Sequence, residues 1–220
     1  MEVSRKIVLA SKIAKVPYLI SIGGTGSLFL PGQQPLTACD EPRFWVAFRR
    51  SVADSEAGVA MMEFRLPQIG PFFRQYRDAR LATKSGTASV EQTKFILDLE
   101  SGILSQGANA PGDLPTAARA TFSFYDSNES FRWSFVSPPA QYRPGKRTGS
   151  YTVHFDEVPL LSEEHAEADN IYAGRLLGIS AADLAVAIAD EVEQQKKVSR
   201  HWSAVADLID DASAPNVAVL

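Results

Sequence analysis

The sequence predicts an α/β fold built on a parallel sheet, with a largely helical insertion, and three observations support this. A helical pattern, a short apolar run and a glycine-rich turn follow one another within the first 26 residues. The apolar residues between about 41 and 127 then recur at helical spacing. Strand patterns return after residue 130 and lead into a well-capped helix. This order of elements is typical of an α/β fold.

The first 26 residues have the pattern of half a βαβ unit. Residues 1–15 carry apolar side chains three and four positions apart, which indicates an amphipathic helix. The run 16–22 is apolar and is closed by Gly23 and Gly24. Continuous apolar strands of this kind belong to parallel sheets covered on both faces, so we expect a buried strand. Because a globular domain rarely opens on a crossover helix, we also expect that the first βαβ units are absent.

The stretch 41–127 is predicted to be helical. Helical periodicity covers 41–66, 72–84, 90–104 and 116–125. Pro67 and the pair 70–71, Gly-Pro, interrupt the pattern because proline lacks an amide proton and clashes with the preceding turn. We expect this stretch either to pack on the sheet as an insertion or to cover a site as a cap. Either arrangement falls within a single domain that spans 1–220.

Strand patterns return in the last ninety residues. The run 131–136 is aromatic and β-branched, 150–155 alternates with a period of two, and 200–206 is a further candidate strand. Between the last two, Ser180 is a natural N-cap for a helix that continues to about residue 195. Asp183 stands three residues after it, close to the spacing of a capping box.

Composition narrows the class of function. A net charge of −4 over 220 residues gives no support for nucleic-acid binding. No apolar run approaches the ~18 residues of a membrane span, and residues 1–15 lack the apolar core of a signal peptide, so a cytoplasmic location is predicted. The single cysteine, Cys39, excludes an internal disulfide and fits a structural role better than a nucleophilic one. No metal site is expected, since the sequence has neither a His-x-x-x-His nor a Cys-x-x-Cys pair.

Two short motifs are similar to cofactor sites, and each has a simpler explanation. The run 23–27, GGTGS, follows a strand as a dinucleotide-binding turn does, but its spacing is not G-x-G-x-x-G and no helix start follows. Tyr142 and Lys146 stand four residues apart, a spacing that pairs a proton-donating tyrosine with a lysine when both lie on a helix. The pair 144–145, Pro-Gly, breaks any helix there, so this match is taken as accidental.

Three segments, in order along the chain, resemble the NmrA-like, NADH-flavin-reductase branch of the atypical short-chain dehydrogenases. The run 132–151, RWSFVSPPAQYRPGKRTGSY, is similar to the family's W-T-x-x-S-P-P-A and P-G-x-R-T-G-x-Y segments. Residues 16–28 are similar to its strand ending in G-G-A-G-S-L, and 179–187 to its closing I-S-x-x-D-x-A-x-A helix. The resemblance implies a Rossmann-like sheet that lacks its first βαβ units. The family's N-terminal fingerprint, G-x-x-G-x-x-G, is absent from this sequence.

The resemblance also implies a set of site residues at the carboxyl ends of strands, where open α/β sheets bind ligands. Ser27 stands near the position of the superfamily's catalytic serine, and Tyr142 is the second catalytic candidate. Tyr142 and Arg147 would come from a loop over the substrate, with Arg147 as the substrate-binding candidate. The implied cofactor-binding residues, beside the nicotinamide, are Gly23, Gly24, Thr25, Gly26, Ser137, Pro138 and Pro139.

The function implied by the resemblance is that of an NAD(P)-dependent oxidoreductase, a reductase or isomerase, acting on a small organic molecule. Its cofactor would be NADP or NAD. The missing fingerprint leaves two alternatives open, a cofactor-free NmrA-like binding or regulatory module and a truncated product without catalysis. The expected partner is a small-molecule substrate, with neither nucleic acid nor membrane, and a homodimer stays open.

Overall fold

The computed structural model describes residues 2–211 and confirms the predicted α/β class. The main sheet has four strands in the order β1 (Leu19–Ile22), β2 (Trp133–Val136), β6 (Arg200–Val205) and β4 (Thr152–Phe155). The first three run parallel, and β4 pairs antiparallel with β6. A second, two-stranded parallel sheet joins β3 (Gln141–Arg143) to β5 (Gly178–Ser180). Both strands of this small sheet escaped the sequence analysis because three residues are too few to show a period.

The helices lie close to the predicted segments, with three changes. The helix predicted over 116–125 runs from Asp113 to Phe122. Ser55 divides the first segment because it ends one helix and caps the next, where its Oγ accepts a hydrogen bond from the Gly58 amide at 2.9 Å. The helix predicted from residue 72 begins at Gly70, since proline is well tolerated in a first helical turn. No helix within residues 2–211 is long and apolar enough to cross a bilayer. The helices are α1 (Glu2–Ile13), α2 (Pro42–Asp54), α3 (Glu56–Arg65), α4 (Gly70–Lys84), α5 (Val90–Ser105), α6 (Asp113–Phe122) and α7 (Ala181–Gln194).

Helices cover both faces of the main sheet. Side chains of successive strand residues point to opposite faces, so Phe135 and Val136 belong to different clusters. Phe135 packs with Phe122 at the end of α6 and with Val8 of α1. Val136 packs on the other face with Leu184 of α7. This layering leaves the carboxyl ends of β1 and β2 beside the start of the helical stretch.

The first strand corrects one prediction. Its apolar run predicted burial on both faces, but the side chain of Ile22 is 63% exposed and the rest of β1 is half-buried. The reason is topological, because within the described residues β1 pairs only with β2 and forms one edge of the sheet. A run of apolar residues fixes the strand but says nothing about whether the sheet continues beyond it.

A buried carboxylate ties the loop after β3 to the start of α7. The Asp183 amide bonds to Ser180 Oγ at 3.0 Å, which confirms Ser180 as the N-cap. The Asp183 carboxylate accepts hydrogen bonds from the Thr148 and Gly149 amides, each at 2.8 Å. Burial alone would raise the pKa of Asp183, but the bonds from Gly149, Thr148 and Ser180 outweigh it and hold that pKa below its usual range. Two of the family-like segments, 132–151 and 179–187, are therefore held together by the hydrogen bonds of Asp183.

Candidate functional site

A cleft of about 360 Å³ opens at the carboxyl ends of β1 and β2. Its lining comes from the turn after β1, the segment after β2, one side of α2 and α3, and Leu114 of α6. The position matches the ligand site of open α/β sheets, and the volume lies at the lower end of small-molecule pockets. A larger hollow of about 450 Å³ lies between α4 and α5, but it does not reach the strand ends. The apolar lining residues of the cleft are Ile22, Phe48, Val52, Met61, Leu114, Pro138, Pro139 and Ala140.

The glycines of the turn after β1 have different structural reasons. A Cβ at Gly23 would lie 2.2 Å from Phe135 Cε1, and one at Gly26 would lie 2.6 Å from Cys39 Sγ, so packing inside the protein demands glycine at both positions. Gly24 is different, because the nearest atom to its Cβ position is 3.8 Å away, in Ala118. Packing inside the protein therefore does not require glycine at position 24, where the backbone lines the cleft.

A buried cluster of three hydrogen-bonding side chains supports this turn. Ser27 Oγ donates to the Gly24 carbonyl at 2.8 Å and lies 2.8 Å from Ser137 Oγ. His201 Nε2, from β6, lies 2.9 Å from Ser137 Oγ and 3.3 Å from Ser27 Oγ. All three residues are at most 1% exposed. Burial lowers the pKa of His201 to about 3, so its imidazole is neutral at neutral pH.

The cleft also contains polar atoms that lack partners. Thr25 Oγ1 and Arg143 Nε are both buried and have no hydrogen-bond partner within residues 2–211. Arg143 is 5% exposed, and its nearest acidic atom is Asp210 Oδ1, 3.8 Å from Nη2. Burial lowers the pKa of the Arg143 guanidinium, with Asp210 acting in the opposite direction. Buried polar atoms without partners are uncommon in folded proteins. Among the described residues, Trp45 Nε1, His201 Nδ1 and Ser203 Oγ also lack partners, and these three residues do not line the cleft.

The structure separates the predicted site residues into three groups. Those that line the cleft are Gly23, Gly24, Thr25, Pro138, Pro139 and Tyr142. Ser27, Ser137 and Gly26 are buried and do not line it. Arg147 is exposed and also lies outside the lining. The roles of all ten residues stay predictions, since their positions alone assign none of them.

Tyr142 corrects a second expectation, because it comes from strand β3 and not from a loop. Tyr142 lines the cleft and also packs against the cluster that contains Val136 and Leu184. Lys146 is exposed and lies 3.5 Å from Asp211, so the Tyr142–Lys146 spacing is accidental, as the proline and glycine between them predicted. His201, Arg143 and Arg65 line or support the site and were missed by the sequence analysis, since no local motif marks them.

Comparison with known proteins gives short or distant matches. No protein-family profile matches the chain. A segment of 97 residues is 34% identical to YwnB, an uncharacterised protein of Bacillus subtilis (strain 168), and covers 43% of this chain and 40% of that protein. A solved structure from Burkholderia pseudomallei, provisionally described as an exported protein, aligns over 93% of this chain and 63% of its own, at 19% identity and a TM-score of 0.48.

A second solved structure, from Streptococcus pneumoniae TIGR4, is provisionally described as an NADH-flavin reductase. It aligns over 86% of this chain and 56% of its own, at 15% identity and a TM-score of 0.45. The aligned part is thus less than two thirds of the length of each of these three proteins. At such scores the likenesses assign neither a family nor an activity, and the cytoplasmic location stays a prediction.

Proposed function

We propose that this protein is an NAD(P)-dependent oxidoreductase-type protein, a reductase or isomerase, that acts on a small organic molecule in the cleft after β1 and β2. The observation that carries this proposal is the position of the cleft, at the carboxyl ends of neighbouring parallel strands. Within that class we assign the chain to the NmrA-like, NADH-flavin-reductase branch. That finer assignment rests on the three family-like segments, two of which meet at Asp183.

The cleft suits the nicotinamide end of the cofactor. The bare backbone of Gly24, the unpartnered Thr25 Oγ1 and the buried face of Pro138 and Pro139 offer the close approach and polar contact that a carboxamide ring needs. A volume of about 360 Å³ holds one ring system and a small substrate better than a whole dinucleotide. The turn continues into a three-residue 3₁₀ helix, Thr25–Ser27, so it does not offer the α-helix N-terminus that commonly binds a pyrophosphate.

In this proposal the chain supplies orientation and a proton. A bound nicotinamide would supply or accept the hydride. Tyr142, whose hydroxyl faces no partner among residues 2–211, donates a proton to the substrate oxygen. Ser27 acts as a positioning residue, since its amide and its hydroxyl both bond to the Gly24 carbonyl and so fix the turn. The apolar side chains of Phe48 and Val52 keep water away from the reacting atoms.

A cofactor-free binding module is the second candidate function. One observation favours it, namely that the glycine-rich turn is explained at Gly23 and Gly26 by contacts inside the protein, without any ligand. In that case the cleft would still bind a small molecule, and the response to nicotinamide nucleotides would separate the two candidates.

Titration with NADPH and NADH, followed by nicotinamide fluorescence and by the thermal melt, tests the proposal. Gly24→Leu should fold, because the backbone at Gly24 is extended (φ −154°) and the space beside it is open, but its side chain would fill the cleft. Gly102→Leu is the matched control, since Gly102 lies in α5 with no atom within 4 Å of its Cβ position. We expect saturable binding by the wild type and by Gly102→Leu, and binding at least about tenfold weaker by Gly24→Leu.

Two outcomes would contradict the proposal. Equal binding by Gly24→Leu would move the nucleotide to another part of the protein. Absence of binding by a wild-type protein that melts cooperatively would favour the cofactor-free module.

A further inference from the structure

We propose that the cleft binds a small organic anion, a carboxylate attached to an apolar ring or chain, and that Arg143 is the residue that holds the carboxylate. This inference names the substrate class of the proposed function and rests on it for the location of the site. Arg65, at the end of α3, is the second cation on the cleft lining and lies exposed at its entrance.

Arg143 differs from the other buried arginines in what it contacts. Arg50 and Arg80, at 6% and 7% exposed, each form close, two-atom contacts with carboxylates. Among residues 2–211, Arg143, at 5% exposed, has only a weak bond of 3.4 Å to the Ile209 carbonyl and the 3.8 Å approach to Asp210, and its Nε has no partner there. Leaving a buried charged donor unpaired costs free energy, and an anion in the cleft would recover it.

The nearest carboxylate is already engaged elsewhere. Asp210 Oδ1 accepts hydrogen bonds from Ser55 Oγ at 2.6 Å and from the Ala57 amide at 2.9 Å. Its Oδ2 accepts from the Glu56 amide at 3.0 Å. Asp210 therefore stabilises the N-terminus of α3, and its distance from Arg143 leaves that guanidinium only partly neutralised.

The charge of the cleft is positive although the whole chain carries −4. Among the described residues that line it, two are arginines and none is acidic. Gln141 also lines the cleft. Its side-chain amide donates to the Leu176 carbonyl at 2.7 Å, and no hydrogen bond to Arg143 is recorded among the described residues. Low-dielectric walls strengthen the field of such a site, which then selects anionic ligands.

The shape of the cleft selects an apolar group behind the carboxylate. Phe48, Val52 and Met61 provide an apolar surface from α2 and α3 in the same cleft that Arg143 of β3 lines. A planar guanidinium binds a carboxylate through two parallel hydrogen bonds, a geometry that lysine does not offer. Arg147, four residues further along, is the substrate-binding candidate that the family resemblance implies. The structure instead favours Arg143, because Arg147 is exposed and outside the cleft.

The test uses benzoate, benzamide and benzamidine, which share a ring and differ in charge. Binding to the full chain, without nucleotide, is followed by chemical-shift titration. We expect benzoate to bind at least about tenfold more tightly than benzamide and benzamidine to show no saturable binding. Benzoate affinity should also fall as NaCl concentration rises. This series needs no variant, and equal affinities for benzoate and benzamide would overturn the proposal.

Three variants then locate the anion. Arg143→Met, which replaces the aliphatic stem of the side chain and removes the guanidinium, should abolish the preference for benzoate over benzamide, and Arg65→Met should weaken benzoate binding by about threefold. Arg147→Met, on the same segment of chain, should change nothing. An unchanged preference in a folded Arg143→Met protein would overturn the assignment.

The result separates this inference from the proposed function. A benzoate preference in a protein that binds neither NADH nor NADPH would keep the anion site and reject the oxidoreductase. Nucleotide binding without any benzoate preference would reject the anion site alone.

Discussion

The chain uses buried arginines in two regions that differ in how completely each charge is paired. In the helical region, Arg50 of α2 bonds to Glu100 of α5 at 2.8 and 2.5 Å and to Asp169 at 2.8 and 2.7 Å. Its Nη1 also bonds to Glu167 at 2.6 Å. At the cleft, the acidic oxygen nearest to Arg143 within the described part of the chain is 3.8 Å away. The saturated arginine joins elements of the fold, whereas the unsaturated one at the cleft is the residue for which we propose a ligand.

The two regions also use different chemistry to hold buried polar groups. In the helical region, both the arginine and the carboxylate of each pair are charged, and Tyr76 adds a hydrogen bond of 2.5 Å to Glu100. The cleft region contains the neutral Ser27, Ser137 and His201. Because Ser27, Ser137 and His201 are neutral, the charged side chains of the cleft are those of Arg143 and Arg65 among the described lining residues. An anion site needs this arrangement.

Replacement of the saturated arginine should have the largest effect on stability. Arg50→Met leaves the buried Glu100 carboxylate without its main partner, and we expect it to lower the free energy of unfolding by about 3–5 kcal/mol. Arg143→Met removes a charge with few partners and should cost no more than about 1 kcal/mol. Urea unfolding at pH 7 measures both.

The exposed Arg43, which pairs with the half-buried Glu41, supplies a control, because Arg43→Met should cost between about 0 and 1 kcal/mol. If Arg143→Met costs as much as Arg50→Met, the contrast between the two regions fails. Arg143 would then be a structural residue, and the anion site would lose its main support.

Acid titration should separate the two regions by pH. His201 has a folded-state pKa of about 3, and an unfolded histidine has one near 6.5. Between these values the unfolded chain binds a proton that the folded protein excludes, so unfolding becomes easier as pH falls. From pH 6.5 to pH 4 the contribution of His201 should reduce the free energy of unfolding by about 3 kcal/mol.

The ion network responds at lower pH. The hydrogen bond from Arg50 lowers the pKa of Asp169, so the stability contributed by this carboxylate is present above its unfolded pKa and is lost only as pH falls through the lower, folded value. His201→Gln should therefore flatten the stability profile between pH 6.5 and 4 and leave the steeper loss below pH 4. His154→Gln, at a half-buried position on β4, is the control and should change the slope less. Equal slopes in wild type and His201→Gln would mean that His201 is not held neutral.

Much of the fold could be predicted from the sequence because its patterns are local. Proline and glycine positions and N-caps marked the ends of α4, α5 and α7 to within two residues. The break between α2 and α3 was missed because the apolar residues keep their helical spacing across Ser55 and no proline stands there. The edge position of β1 was missed because strand order depends on pairing between residues more than a hundred positions apart.

The site was predictable only where one segment carries it. The turn at 23–25 and the pair Pro138 and Pro139 line the cleft, as their similarity to a family segment suggested. His201 was not found because it reaches Ser137 from a strand 64 residues further along. The sequence did not single out Arg143, because its burial, which distinguishes it from the exposed Arg147, is not visible in residue type.

Mapping of backbone amide shifts during titration with NADPH tests most directly whether the cleft after β1 and β2 is the ligand site. We expect the amides of Gly23, Gly24 and Thr25 to shift with one saturation curve, while those of Gly86 and Gly102, in or beside helices α4 and α5, do not move. Saturable shifts centred on α4 and α5, with the turn after β1 unchanged, would contradict this expectation.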